Sequence, residues 1–319
     1  MYHFFFLINP ISGGGQGKFI YDFIPEIMSS MHFKENEWHA EFTQVEDLDN
    51  QIQKALDSTE TLIAVGGDGT ISHIFSKFLE ANSSPKLKIG LVPLGTGNDL
   101  ARVLNLYKNF LNKGLLFLFR NLVSANTSPL DIWKVNGQYA LVNYFSSGID
   151  ARIAHDFNKA RKLGLINSTS IVANKMHYVK RFIKDRHYFL KEGKVTITNP
   201  CTQLKKSYPL KGYRTIIIGN IPSFASGSNP FYKSNKSDKV LEVVMVPNLF
   251  SFVGAILLGN IPFLGVLYKK YFLKSIKASA IELELEPSEF HQLDGEDMSQ
   301  KLGEKIIIEY GSQAQILSL

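Results

Sequence analysis

The sequence predicts an α/β domain followed by a β-rich, antiparallel, sandwich-like domain. The chain has 319 residues, 45% of them hydrophobic, enough for two cores of ordinary size. Up to about residue 130, short apolar runs alternate with helix-like stretches, at 4–8, 19–31, 62–65, 71–80 and 89–92, the pattern of a mostly parallel sheet covered by helices. Beyond Asp131 the strands lengthen and alternate with period two. In residues 280–286, Ile281, Leu283 and Leu285 share one face and Glu282, Glu284 and Glu286 the other, as in an antiparallel sheet with one wet face.

Residues 1–8 carry no Lys or Arg ahead of their apolar run and reach Asn9-Pro10 too soon for a signal peptide, so they are read as the first strand. In the second half, strands are expected at 194–198, 214–219 and 241–246, with a basic helical insertion around 156–191. Residues 249–268 are nearly uncharged and about as long as a membrane span. Asn260-Ile-Pro262 interrupts them and Gly254, Gly259 and Gly265 weaken them, so a core helix or an interfacial lip is expected, not a span. Cys201 stands alone and no Cys/His spacing suits zinc, which fits a reducing, cytoplasmic setting.

The formal charge of +6 is uneven: residues 1–130 balance at −3 and residues 131–319 at +9. A basic half suits a phosphate- or carboxylate-bearing partner, either nucleic acid or an anionic membrane surface. No recognition-helix signature or RNA-binding aromatic motif accompanies it, so nucleic acid is not expected.

Three Gly-rich segments each follow an apolar run: Asn9-Pro-Ile-Ser-Gly-Gly-Gly-Gln-Gly-Lys18, Gly66-Gly-Asp-Gly-Thr70 and Pro93-Leu-Gly-Thr-Gly-Asn-Asp-Leu-Ala-Arg102. Glycine admits close approach of a ligand, and the free N–H groups at the start of a following helix suit an anion, so strand, turn and helix together make a phosphate cradle. Neither common fingerprint fits. A P-loop would need glycine at Ser12 and a hydroxyl at Phe19, and the dinucleotide pattern meets Lys18 or Leu100 where its last glycine belongs.

Gly66-Gly-Asp-Gly-Thr70 resembles the signature shared by diacylglycerol/sphingosine lipid kinases, NAD kinases and phosphofructokinases, and residues 93–102 are similar to the diacylglycerol kinase catalytic domain in particular. Further matches run along the chain: Asn9-Pro-Ile-Ser-Gly-Gly, Leu130-Asp-Ile-Trp133, Asn143-Tyr-Phe-Ser-Ser-Gly-Ile-Asp150, Asn220-Ile-Pro-Ser223 and Leu293-Asp-Gly-Glu296. Several resemble the eukaryotic branch, without its Cys-rich lipid-binding C1 modules, so a catalytic core alone is expected. The resemblance implies a nucleotide-binding domain at 1–131, completed by a returning strand at 303–319, and a lipid-binding domain at 132–302, with the active site in the cleft between them.

It implies ATP and Mg²⁺ as cofactors. Asn9, Pro10, Ser12, Gly13, Gly14 and the backbone of Gly15 would line the nucleotide with Thr43, and Gly66, Gly67, Asp68, Gly69, Thr70, Gly95, Thr96 and Asn98 would complete the cradle. Asp68 would help hold the catalytic Mg²⁺, although the matching acid of NAD kinases can serve as the base. Asp99, Arg102 and Asp131 would form a charged network with Lys18 as a partner. Asp294 would deprotonate the lipid hydroxyl, with Glu296 close to the nucleotide or sharing that role. A structural Mg²⁺ site of the family aligns with residues 235–243, where Asp238 and the carbonyls of Asn235 and Val240 could ligate although Lys239 replaces a glycine.

The implied activity is transfer of the γ-phosphate of ATP to diacylglycerol, giving phosphatidic acid. The alternatives are a sphingosine, ceramide or broader glycerolipid kinase, or an inactive nucleotide-binding sensor. The partners expected are a hydroxyl lipid and an anionic membrane surface, and a homodimer stays open. Lys159, Arg161, Lys162, Lys175, Lys180, Arg181, Lys184 and Arg186, with Lys269, Lys270, Lys274 and Lys277 beside the apolar stretch, suit peripheral membrane association.

Overall fold

The computed structural model describes residues 1–81, 87–95, 97–163, 184–185, 187–231, 233–258, 261 and 264–319. Two sheets run through the fold, one with parallel and antiparallel pairs and one antiparallel throughout. The chain divides into two compact units, Met1–Ile132 with Ser312–Leu319, and Trp133–Gly311.

The first unit contains β1 (Tyr2–Ile8), α1 (Ser12–Ser30), β2 (Trp38–Phe42), α2 (Leu48–Ser58), β3 (Thr59–Gly66), α3 (Asp68–Glu80), β4 (Lys88–Pro93), α4 (Asp99–Val103), α5 (Leu106–Lys113) and α6 (Leu115–Val123). Strand β5 (Asn126–Val135) carries the chain into the second unit. There follow β6 (Tyr139–Leu141), β7 (Tyr144–Gly148), α7 (Ile149–Lys162), β8 (Lys194–Thr198), β9 (Lys205–Pro209), β10 (Thr215–Gly219) and β11 (Leu241–Val246). The remainder is α8 (Leu249–Leu258), α9 (Leu264–Phe272), β12 (Lys274–Ala278), β13 (Ala280–Glu284), β14 (His291–Leu293), β15 (Glu296–Asp297) and β16 (Lys305–Ser318), whose last residues belong to the first unit.

In the first unit β2, β1, β3 and β4 are parallel neighbours, and the end of β16 pairs with β4 through Gln315 and Ile316. Parallel strands between helices are buried on both faces and therefore read as continuous apolar runs. Phe5, Phe6, Leu7 and Ile8 are all buried in this way. Helix α1 turns Ile20, Ile24, Ile27 and Met28 inward at the 3.6-residue period, and α3 does the same with Ile71, Ile74, Phe75 and Phe78.

The second unit is a sandwich. One layer has the order β12-β11-β10-β7-β14-β15, and the other pairs β9, β8, β13 and the first part of β16, with β5 and β6 alongside. A single apolar cluster joins the layers: Phe145, Ile216, Ile218, Val243 and Met245 meet Trp133, Val195, Ile197, Ile281, Leu283 and Ile306. The other face of the first layer carries a second cluster, in which Tyr144, Ile217 and Val244 meet Ile149 and Ile153 of α7 and Phe252 of α8. Thus Thr215–Gly219 is buried throughout because both faces are covered. The alternation at 280–286 holds, with Ile281, Leu283 and Leu285 in the core.

Two elements are refined by the structure. The regular turns of α1 begin several residues earlier than 19, just past Gly13, Gly14 and Gly15, whose φ angles of 63°, 69° and 96° are not helical. The apolar stretch after residue 248 is two helices, α8 and α9, and no described helix is long and apolar enough to cross a membrane.

Candidate active site

The three glycine turns meet at the carboxyl ends of the parallel strands, where open α/β sheets hold their ligands. The Asn9 amide donates to Val65 O at 2.9 Å, the Leu94 amide to Gly66 O at 2.9 Å and the Thr43 amide to Ile8 O at 2.8 Å, so the exits of β1, β2, β3 and β4 lie side by side. Asn9 Oδ1 accepts from the Ile11 amide at 3.2 Å and fixes the path through Pro10 toward Ser12. The three successive left-handed residues at 13–15 are a conformation that glycine alone adopts without strain. A Cβ on Gly13 would stand 3.3 Å from Leu94 Cβ, so the first turn touches the third.

The second and third turns are closer still. A Cβ on Gly95 would lie 2.7 Å from Gly67 Cα, and one on Gly97 would lie 2.7 Å from Asp68 Oδ2. Backbone thus packs on backbone, and the space a side chain would fill is occupied by the Asp68 carboxylate. Its Oδ2 accepts from the Asn98 amide at 2.7 Å. Asn98 is buried, left-handed at φ 52°, and its Nδ2 donates to Gly95 O, closing the turn on itself. Asp68, Gly69 and Thr70 open α3, and the Thr70 amide donates to Gly67 O at 3.1 Å. A helix start preceded by such turns suits a phosphate group. Thr96 lies outside the described residues.

Of the expected charged network, Arg102 joins the cradle: its Nε donates to Gly97 O at 3.0 Å and its guanidinium lies over the Tyr107 ring at 4.1 Å. Asp99 is buried at the first turn of α4. Asp131 is also buried and accepts from Gln313 Nε2 of β16 at 2.8 Å. Lys18 is exposed in the first regular turn of α1.

In the second unit Asp294 and Gly295 form the left-handed turn between β14 and β15, at φ 51° and 89°. The Asp294 carboxylate is buried and clamped by main chain: Oδ1 accepts from the amides of Asn143 at 2.8 Å and Tyr144 at 3.0 Å, and Oδ2 from Val142 at 3.1 Å. Glu296, two residues on, is exposed. Helix α7 braces the turn, with Asn158 Nδ2 donating to Gly295 O and His155 Nδ1 2.6 Å from Asp297 Oδ2. Burial works against the charged form of Asp297, but the Ser299 hydroxyl and amide and His155 outweigh it and hold the carboxyl below its ordinary range.

The residues aligned with the structural metal site make an Asx-type turn. Asp238 Oδ1 accepts from the Val240 amide at 3.2 Å, Lys277 Nζ stands 4.0 Å from Asp238 Oδ2, and Asn235 Oδ1 accepts from the Ser237 amide. Lys239 takes the left-handed φ of 57° at the place of the expected glycine and lies over the Tyr310 ring. An ammonium facing the one carboxylate is a poor fit for a divalent cation. Among the described residues no three His, Cys, Asp or Glu side chains gather as a metal site.

A polar cluster next to the Asp294 turn escapes sequence reading. Asp150, fully buried at the start of α7, accepts from Ser146 Oγ at 2.7 Å and from Gln292 Nε2, while Asp150 Oδ1 and Gln292 Oε1 are left without a hydrogen-bond partner. Burial pushes Asp150 up to about 6. His291, also buried and hydrogen-bonded to Ser147, is pushed down to about 4 by burial. Of the basic residues, Lys159 and Lys184 are exposed and Arg161 and Lys162 lie on α7, whereas Lys175, Lys180, Arg181 and Arg186 lie outside the described residues.

Comparison with known proteins agrees along the chain. The family model for the diacylglycerol kinase catalytic domain matches residues 3–135, and that for the diacylglycerol kinase accessory domain matches residues 140–297. Diacylglycerol kinase iota of Homo sapiens is 26% identical over 257 residues, covering 70% of this chain and 23% of that protein. The eye-specific diacylglycerol kinase of Drosophila melanogaster is 28% identical over 213 residues, 57% of this chain and 15% of its own length. The chain therefore spans less than a quarter of these curated relatives. The crystal structure of a diacylglycerol kinase from Bacillus anthracis shares the fold, with a TM-score of 0.71 over 99% of this chain and 96% of that one at 18% identity.

Proposed function

Because the chain belongs to the diacylglycerol kinase family, we propose that it is an ATP-dependent lipid kinase that transfers the γ-phosphate to the hydroxyl of diacylglycerol and forms phosphatidic acid. The observation that carries this reading is the cradle: three glycine turns against one another at the strand ends, with Asp68 fixed against the second and third. Phosphoryl transfer asks chiefly for positioning and charge neutralisation, and main-chain amides at 13–15 and at the start of α3 supply donors for both.

Asn9, Pro10, Ser12, Gly13, Gly14 and Thr43 would border the nucleotide, and Gly66, Gly67, Gly69, Thr70, Gly95 and Asn98 would hold its phosphates. Asp68 is the group suited to Mg²⁺, because its carboxylate offers the hard oxygen donors that ion takes and stands where the second and third turns meet. Bound with the nucleotide, Mg²⁺ would neutralise phosphate charge. Arg102 holds the third turn through Gly97 O, Asp99 and Asp131 would complete a charged network with it, and Lys18 would offer a cation at the mouth of α1. Asp294 is the proposed proton acceptor, its carboxylate oriented by three amides, with exposed Glu296 beside it as the second candidate. Since diacylglycerol resides in bilayers, the reaction would run at a membrane surface.

The test is an assay with γ-labelled ATP and Mg²⁺ against mixed micelles of diacylglycerol, sphingosine, ceramide and monoacylglycerol, with NAD as a soluble control. Label in phosphatidic acid is expected, with turnover falling roughly 100-fold or more in Asp68→Asn and Asp294→Asn, the scale of losing a positioned acid or base. Glu296→Gln divides the proton role: a loss as large as that of Asp294→Asn would move the base to Glu296. Label in another lipid would reassign the acceptor, and ATP binding without any label would make the protein a nucleotide sensor.

A further inference from the structure

Helices α8 and α9 form a hairpin on the second unit with two unlike faces. The inner face is part of the fold: Phe252 is buried edge-on to Phe224, and the Tyr268 hydroxyl donates to the carbonyls of Phe250 and Ser251 at 3.0 Å each. A Cβ on Gly254 would fall 2.3 Å from the Tyr268 ring, so glycine is what lets α9 lie against α8. The two helices are thereby packed against each other.

Among the described residues its outer face is apolar and exposed. Phe250 is 85% exposed, Leu264 54% and Tyr271 68%, and Leu267 lies in the same row, so Leu264, Leu267 and Tyr271 form one stripe at i, i+3 and i+7. Large exposed apolar groups gathered in this way mark an interaction surface. The surrounding charge has one sign. Between Glu242 and Glu282 the chain has no acidic residue and four lysines. Lys277 is engaged by Glu242 and Asp238, and Lys269 is buried, which lowers its affinity for a proton. Lys270 and Lys274 remain exposed beside the stripe, Lys270 over the Tyr271 ring and Lys274 over that of Tyr208.

We propose that the α8–α9 hairpin docks the protein on an anionic lipid bilayer, with Phe250, Leu264, Leu267 and Tyr271 entering the acyl boundary and Lys270 and Lys274 meeting lipid phosphates. An apolar ridge flanked by lysines is the composition of an interfacial helix, and the two contributions add. A second copy of the chain fits less well: a two-fold contact would bring like lysines together with no acidic residue on the hairpin to pair with them. The inference rests on the reading of a bilayer-resident substrate and adds the surface that reaches it.

The experiment is co-sedimentation with vesicles of phosphatidylcholine alone and of phosphatidylcholine with phosphatidylserine, at low and high salt. The parent chain is compared with the triple variant Phe250→Ser, Leu264→Ser, Tyr271→Ser and the double variant Lys270→Glu, Lys274→Glu. The serine variant should lose binding to both vesicles by roughly tenfold or more. The glutamate variant should lose about as much on the anionic vesicles, with little change on the neutral ones, and high salt should erase its difference from the parent. Both should turn over a short-chain diacylglycerol dissolved as monomers within about twofold of the parent, since neither touches the cradle or the Asp294 turn. Equal binding by all three chains would overturn the proposal. So would a parent dimer that becomes monomeric in the serine variant with vesicle binding unchanged, which would assign the face to self-association. The two readings fail separately: a parent that binds vesicles and loses this binding in the variants, yet phosphorylates no diacylglycerol, would leave docking standing and remove the substrate.

Discussion

A carboxyl group enclosed by protein titrates on the terms of its enclosure. Asp150 is fully buried with Ser146 and Gln292 as donors, and burial raises it from the ordinary 3.8 to about 6. The folded chain therefore binds this proton more tightly than the unfolded chain. The stabilisation is complete below pH about 4, falls as pH rises to about 6, and leaves a deficit on the order of 3 kcal/mol above that, at about 1.36 kcal/mol per pH unit. Asp150→Asn keeps the shape and removes the charge. It should melt higher than the parent at pH 7.5, with the gap closing as pH is lowered toward 4. A gap independent of pH, read from thermal melts across that range, would show that Asp150 is not the group responsible. Asp294 has the opposite surroundings, three amides on one carboxylate, so two buried acids, one at the start of α7 and one in the β14–β15 turn, face different electrostatic conditions.

Elements carry the next level of argument, and here the turns matter more than the helices they begin. Replacing Gly95 by Ala sets a Cβ 2.7 Å from the Gly67 backbone, where neither chain can swing aside. Gly95→Ala should cost about 1–3 kcal/mol of stability, the range for overpacking, and weaken nucleotide binding by roughly tenfold or more. Calorimetric titration with ATP beside a thermal melt would check both, and parental nucleotide affinity would remove the cradle from the argument. These turns were legible in the sequence because glycine spacing is local, as was the α/β then β-rich order, and the strand at 280–286 follows its alternation residue by residue. The Asp150 cluster was not legible. Ser146 and Asp150 are four residues apart, but Gln292 reaches them only because β14 pairs with β7 in the register that sets it opposite Ser146. The amides that clamp Asp294 likewise come from a loop about half the chain away. The apolar run after residue 248 shows the remaining ambiguity: composition suited either core or interface, and the fold makes it both, with Phe252 inside and Phe250 outside.

At the scale of the whole molecule, the chain passes between the two units twice, within β5 and within β16. The first unit depends on the second passage. Ala314, Ile316 and Leu317 are buried in it, Gln313 holds Asp131, and residues 315–316 pair with the edge of β4. Removing residues 312–319 should thus take away part of its core and expose a paired strand edge, a form prone to aggregation. The shortened chain is expected to give little soluble protein and to melt well below the parent. Equal yield and melting point would show that the strand is dispensable.

The same arrangement governs how the protein is made. Residues 1–132 leave the ribosome first, but the strand that closes their sheet is encoded after residues 133–311. At ordinary elongation rates of about 5–20 residues per second, the nascent unit waits on the order of 10–40 s with the β4 edge bare. The first unit can therefore close its sheet only after residues 133–311 have been synthesised, whatever the intrinsic speed of its helices and strands. That interval, rather than the finished fold, is when this chain is most open to pairing with another copy of itself.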